Sequence, residues 1–186
     1  LPHTSLTLFK SILGKSNSTT SPQLTIKSVS EAIYHIYSVN TSMQLKFIVP
    51  QEDAYAIKCK IARSICEGVS ALMSLPDSLT IEFVAMPSNV YGDSTLDNKS
   101  NKLIRLNSQL RVNDLMIPLV HELIHVNQMH EGKLMITEDG IFIWDTVPYE
   151  VNLKDIHYKD YQMLPWEADV RHRQPKALDE LLKSYK

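Results

Sequence analysis

Two histidines and a glutamate interrupt an otherwise apolar run, LMIPLVHELIHVNQM at 115–129. Leu115, Met116, Ile117, Leu119, Val120, Leu123, Ile124 and Val126 call for burial. A buried run holds imidazoles and a carboxylate without partners only at considerable cost. On an α-helix His121 and His125 lie about 40° apart, with Glu122 about 60° further round, so all three face one pocket. This is the H-E-x-x-H pattern, in which imidazoles on successive turns hold Zn²⁺ and the glutamate, as general base, takes the proton of a zinc-bound water.

A catalytic zinc site takes three protein ligands and leaves a position open. His130 is five residues past His125, about 140° round the helix and on the wrong face. It also breaks the metzincin spacing, in which a glycine and a third histidine follow closely. Glu131 and Glu138 fall in the helix exit and a hairpin, where spacing gives no reason to face the pair. Glu167 is different: it sits between Trp166 and Ala168 in the first turn of a separate helix. A buried carboxylate there needs a positive partner, and Zn²⁺ would be one. The other account of Glu167 is a first-turn acid favoured by the helix dipole.

These residues have to be positioned by a domain of sufficient size. At 186 residues, with 44% hydrophobic and 22% charged residues, the chain suits one globular domain. A net charge of −2 offers no basic surface for nucleic acid or an acidic membrane. Neither a membrane-spanning segment nor a secretory signal is visible, so a chain that is not evidently secreted is expected. Cys59 and Cys66, two turns apart on a predicted helix, stand about 10 Å apart and too far for a disulfide. Residues 1–22 read as an arm, with Leu6, Phe9 and Leu13 at helical spacing before the polar tract KSNSTTSP, and could dock a partner. The domain proper takes residues 23–186, with a first helix starting near Ser30.

Strands are predicted at 43–49, 79–86 and 102–107, and long helical periodicity at 53–74 through Ile57, Ile61, Ile65, Val69 and Leu72. A polar loop covers 88–101. Asn113 is a candidate N-cap for a helix over 114–130, which Pro118 could kink. Asp139-Gly140 suggests a hairpin over 133–147. Pro165 suits the first position of a helix, and Pro175 the start of another carrying Leu178, Leu181, Leu182 and Tyr185. The expected class is α+β: the strands and the hairpin form one small twisted sheet packed on helices 53–74 and 114–130.

HELIHVNQ, Gly132 shortly after it, a hairpin containing Trp144, and then Tyr161-x-x-x-Pro165-Trp166-Glu167 together resemble small phage and bacterial HExxH metallopeptidases of the gluzincin group. The resemblance spans residues 100–172. It implies a zincin-like fold, with a small mixed sheet on the HExxH helix and a C-terminal helical part. It also implies peptide-bond hydrolysis with His121, His125 and Glu167 as zinc ligands and Glu122 as general base. The chain departs from that pattern after Glu167: Arg171 stands four residues on, where the group has an aspartate, and Asp169 stands at two. What holds the histidines is therefore unassigned.

A donor to the developing oxyanion is sought in the Tyr- and His-rich segment 149–164, where Tyr161 is chosen over His157, Tyr158 and Tyr149. A peptide or protein substrate is expected to pair as an added strand with Leu103, Ile104 and Arg105, if 102–107 is an edge strand. The competing class is a non-catalytic, zinc-stabilised structural or virion-associated phage protein. The intact Glu122 argues against it, because a site kept only for folding needs the ligands and not the base.

Overall fold

The computed structural model describes residues 43–96, 102–137, 139–153 and 155–184. The arm, the helix expected near Ser30 and the last part of the 88–101 loop lie outside the described residues. Four strands form one mixed sheet: β1 (Gln44–Ile48), β2 (Ser78–Val84), β3 (Gly92–Leu96) and β4 (Lys102–Asn107), in the order β1-β2-β4-β3. β1, β2 and β4 run parallel, whereas β3 lies antiparallel to β4. The strands alternate in burial as a half-covered sheet should. Leu79, Ile81, Phe83, Ile104 and Leu106 face the core, and Lys46, Glu82 and Arg105 lie on the other side.

Two helices cover the core face. Helix α1 (Glu52–Ser70) lies over β1 and β2, bringing Tyr55 to 5.4 Å from Phe83 and Arg63 to 5.5 Å from Phe47 between group centres. Its buried face is Ile61, Ala62, Ile65, Cys66 and Val69. Ile57, expected on that stripe, is 65% exposed because a strict i+4 row drifts about 40° per step. Leu72 lies past the helix end and is also exposed. Both cysteines are free thiols.

Helix α2 (Met116–His130) is the centre of the molecule, with every residue but Ile117, His121 and His130 buried. Asn113 does not cap it, because residues 112–114 form a 3₁₀ turn that runs directly into the helix. Pro118 falls in the first turn, where the missing N–H has no intrahelical acceptor to lose. The exit is a Schellman closure on Gly132 at φ 72°: Lys133 N–H donates to Gln128 O at 3.0 Å and Gly132 N–H to Met129 O at 3.3 Å.

The hairpin does not join the main sheet. It is a separate meander of β5 (Leu134–Ile136), β6 (Phe142–Trp144) and β7 (Val147–Tyr149). Gly140 at φ 82° closes the first turn, and Asp145-Thr146, both at positive φ, closes the second. β7 carries no glycine turn ahead of it and holds Pro148, so its sequence hides it.

After the short helix α3 (Tyr158–Met163), α4 runs unbroken from Pro165 to Ser184. Pro165 opens it as expected, with Leu164 extended at ψ 139° as a pre-proline residue prefers. Pro175 opens nothing: it lies inside α4 and leaves the Arg171 carbonyl without its usual i+4 donor. Among the described residues no helix is long and apolar enough to cross a membrane.

One expectation about β4 is overturned. It lies between β2 and β3, so its backbone groups are used on both sides. Leu103, Ile104 and Arg105 therefore cannot offer an open edge to a peptide. Ile104 is fully buried, and Arg105 grips Asp93 of β3 in a two-pronged ion pair at 2.7 and 2.8 Å. The polar stretch GDSTL forms a strand although it lacks the apolar alternation that marks one in a sequence.

Candidate metal centre

His121 and His125 come from successive turns of α2, and their rings meet at 4.9 Å between centroids, 74° apart in plane. Glu167 comes from the first turn of α4, which packs along α2. Its position is set by its neighbour Trp166, which is fully buried, stacked on Phe142 of β6 at 5.0 Å and met edge-on by Tyr149 of β7 at 5.7 Å. The small meander thus holds the start of α4 where Glu167 must point at the histidines. Glu167 Oε1 lies 3.1 Å from His125 Nε2, and Oε2 lies 3.6 Å from His121 Nε2. One ligand atom from each of the three residues lies within 4.8 Å of the others, so the group could hold a metal ion. None of Glu150, His157 or Asp169 takes the place of Glu167 in it.

The other ring nitrogens are also placed. His125 Nδ1 is 2.9 Å from Gln128 Oε1, and His121 Nδ1 is 3.3 Å from Gln174 Oε1. An amide oxygen only accepts, so each Nδ1 carries a proton, and in the neutral ring each Nε2 presents a lone pair to the centre. His121 Nε2 is buried and makes no hydrogen bond among the described residues. Buried polar atoms rarely stay so, and a cation bound at this point would answer it.

Burial dominates the electrostatics. It pushes His121 down to about 4, with neighbouring His125 adding to the effect. It would lower His125 too, but the Glu167 charge, with hydrogen bonds to Glu167 and Gln128, raises that ring instead. Burial favours neutral Glu167, yet His125 and His121, with the bonds from His125 and Tyr161, hold its carboxyl below the usual range. The carboxylate is thus held in its charged form.

Glu122 is the fourth member. It is fully buried, and neither carboxylate oxygen has a hydrogen-bond partner among the described residues. Burial pushes its pKa up to about 8, against the downward pull of His125 and the Ser94 hydroxyl beside it. The edge of the site is β3: a Cβ on Gly92 would stand 3.0 Å from Arg105 O and 3.5 Å from Glu122 Cγ. The tight approach is to β4, whereas the distance to Glu122 is ordinary van der Waals contact.

Tyr161 reaches the site in a different capacity from the one expected. Its hydroxyl donates to Glu167 Oε1 at 2.6 Å, so its single proton steadies the carboxylate and is not offered to an oxyanion. His130 is exposed on the far side of α2, and Arg171 is a surface charge bonded to Gln162 O. The residues missed from sequence are Gln128, Gln174, Ser94 and Gly92. Gln128 alone carried a signal, since it stands one turn after His125 on a neighbouring face. The chain matches no protein-family model, and neither a curated protein nor a solved structure matches it.

Proposed function

We propose that the chain is a zinc-dependent peptidase of zincin-like, gluzincin type. The observation that carries this is the meeting of His121, His125 and Glu167 beside a buried carboxylate, Glu122, whose oxygens have no hydrogen-bond partner among the described residues. Two imidazoles and a carboxylate are a donor set that zinc accepts, and three protein ligands leave a position for a reactant. Zinc held there would supply Lewis acidity, polarising a carbonyl oxygen and making a water acidic enough to attack near neutral pH.

The rest belongs to the chain. His121 and His125 are held in the ligating tautomer by the two glutamines, and Tyr161 fixes one oxygen of Glu167. Glu122 neighbours the ligands without being one. It takes the proton of the attacking water and returns it to the departing nitrogen, while its burial keeps bulk water from competing for that proton. A structural zinc site has no use for such a group.

Glu122→Gln is the test. The variant should bind zinc with wild-type affinity, keep its fold and lose hydrolysis of a broad peptide library by at least about a hundredfold, since an amide cannot accept the proton. Unchanged turnover would refute the mechanism. A zinc-loaded wild type with no turnover would instead indicate a metal-stabilised module.

A further inference from the structure

The group of peptidases this chain resembles has an aspartate four residues past the ligand glutamate, where this chain has Arg171. A polar chain found elsewhere in the structure explains how His125 is nonetheless held. Gln128 is fully buried one turn beyond His125, with Oε1 on the ring's Nδ1 at 2.9 Å. Its Nε2 donates twice, to Trp166 O at 2.9 Å and to Asp169 Oδ2 at 2.8 Å. Two acceptors on one side fix which end of the amide is nitrogen, so the oxygen must face the histidine. Asp169 is in turn held by Arg173 at 3.2 Å, and Arg173 reaches back to Asn127 Oδ1 of α2 at 2.6 Å.

We propose that Gln128 is the positioning residue for His125, and that Asp169, two residues past Glu167, sets Gln128 through its amide nitrogen. The inference rests on the metal-site assignment above. A buried amide free to turn would put its N–H₂ against the ring N–H half the time, favouring the tautomer that cannot ligate. Asp169 and the Trp166 carbonyl remove that alternative. Asp169 thus delivers its orienting effect through a neutral amide, and the acceptor that His125 meets carries no charge. His121 is treated alike, because Gln174 Nε2 donates to Ile117 O at 2.9 Å and so turns its oxygen to that ring. One helix, α4, therefore brings a ligand and the settings for both histidines.

The experiment measures binding of Zn²⁺ alone by competition with a chromogenic chelator, and the visible spectrum of the Co²⁺-loaded protein. Gln128→Met keeps the volume and removes the acceptor; it should weaken zinc binding about 10- to 100-fold, as loss of such supporting groups does, and alter the Co²⁺ spectrum. The exchange Gln128→Glu with Asp169→Asn returns an acceptor to His125 and a donor to position 128 but leaves a carboxylate oxygen facing Trp166 O, so it should recover part of the affinity that Gln128→Glu loses. Gln128→Glu alone sets two carboxylates face to face.

Wild-type affinity and spectrum in folded Gln128→Met would overturn the proposal while leaving the metal site intact. If that variant fails to fold, the double exchange decides: partly recovered binding supports the relay, and binding no better than in Gln128→Glu overturns it. A wild type that binds no zinc would remove the site itself, and with it both this inference and the function proposed above.

Discussion

The burial of Glu122 bears on stability as well as on chemistry. In the metal-free protein its pKa lies near 8 rather than at the ordinary 4.5, chiefly through burial. A carboxyl raised in this way contributes stability that is complete below about pH 4.5 and is lost as pH climbs through about 8. Metal-free Glu122→Gln should therefore gain on metal-free wild type as pH rises across that window, read as a growing difference in denaturation midpoint. A constant difference from pH 4 to pH 9 would contradict the burial. Tyr161→Phe removes one hydrogen bond from Glu167 and should weaken zinc about 10-fold with little change of fold. The three residues with functional chemistry on α2 were legible because His and Glu in an apolar helix violate its pattern. Glu167 was legible because it sits between Trp166 and Ala168. Gln174 was not, and Gln128 only through its place one turn after His125, since a neutral amide on a helix leaves no such conflict and its role depends on what packs opposite.

Elements carry the geometry that single residues cannot. Gly92 lets β3 lie close against β4, and Gly92→Ala would press a methyl to 3.0 Å from the Arg105 carbonyl and 3.1 Å from Leu106 Cδ2, with Glu122 Cγ in ordinary contact at 3.5 Å. The backbone atom cannot step aside cheaply, so the variant should lose about 1–3 kcal/mol in denaturant unfolding. A loss below about 0.5 kcal/mol would show that β3 is less tightly seated. The parallel strands were readable from their apolar alternation, and α2 from its run of buried residues. β3 was not, because an outer strand written Gly-Asp-Ser-Thr is indistinguishable from a loop until the Asp93–Arg105 pair is seen. For the same reason β4 could be mistaken for the edge.

At the scale of the molecule, the three candidate ligands span α2 and α4, so a bound metal would tie together two elements that the chain joins only through the meander and α3. Zinc at a hundred times its dissociation constant should stabilise the fold by about 2.7 kcal/mol. For a domain of this size that is a rise of about 5–10 °C in Tm, read by differential scanning with and without chelator. Pro175 divides α4 into stretches that need not melt together. Up to Gln174 the helix is tied to the site through Glu167, Asp169, Arg173 and Gln174 itself. Beyond the proline it relies on Ala177 and Leu181. With no N–H at 175, the two stretches communicate through one fewer rung of the hydrogen-bond ladder. Amide hydrogen exchange should then show two opening units within one continuous helix, the later one exchanging through the smaller opening free energy. Zinc should slow exchange in the first and leave the second nearly untouched. Pro175→Ala would restore the rung and should carry that protection along the whole helix, the proline then being an insulator between a bound metal's influence and the C-terminal turns.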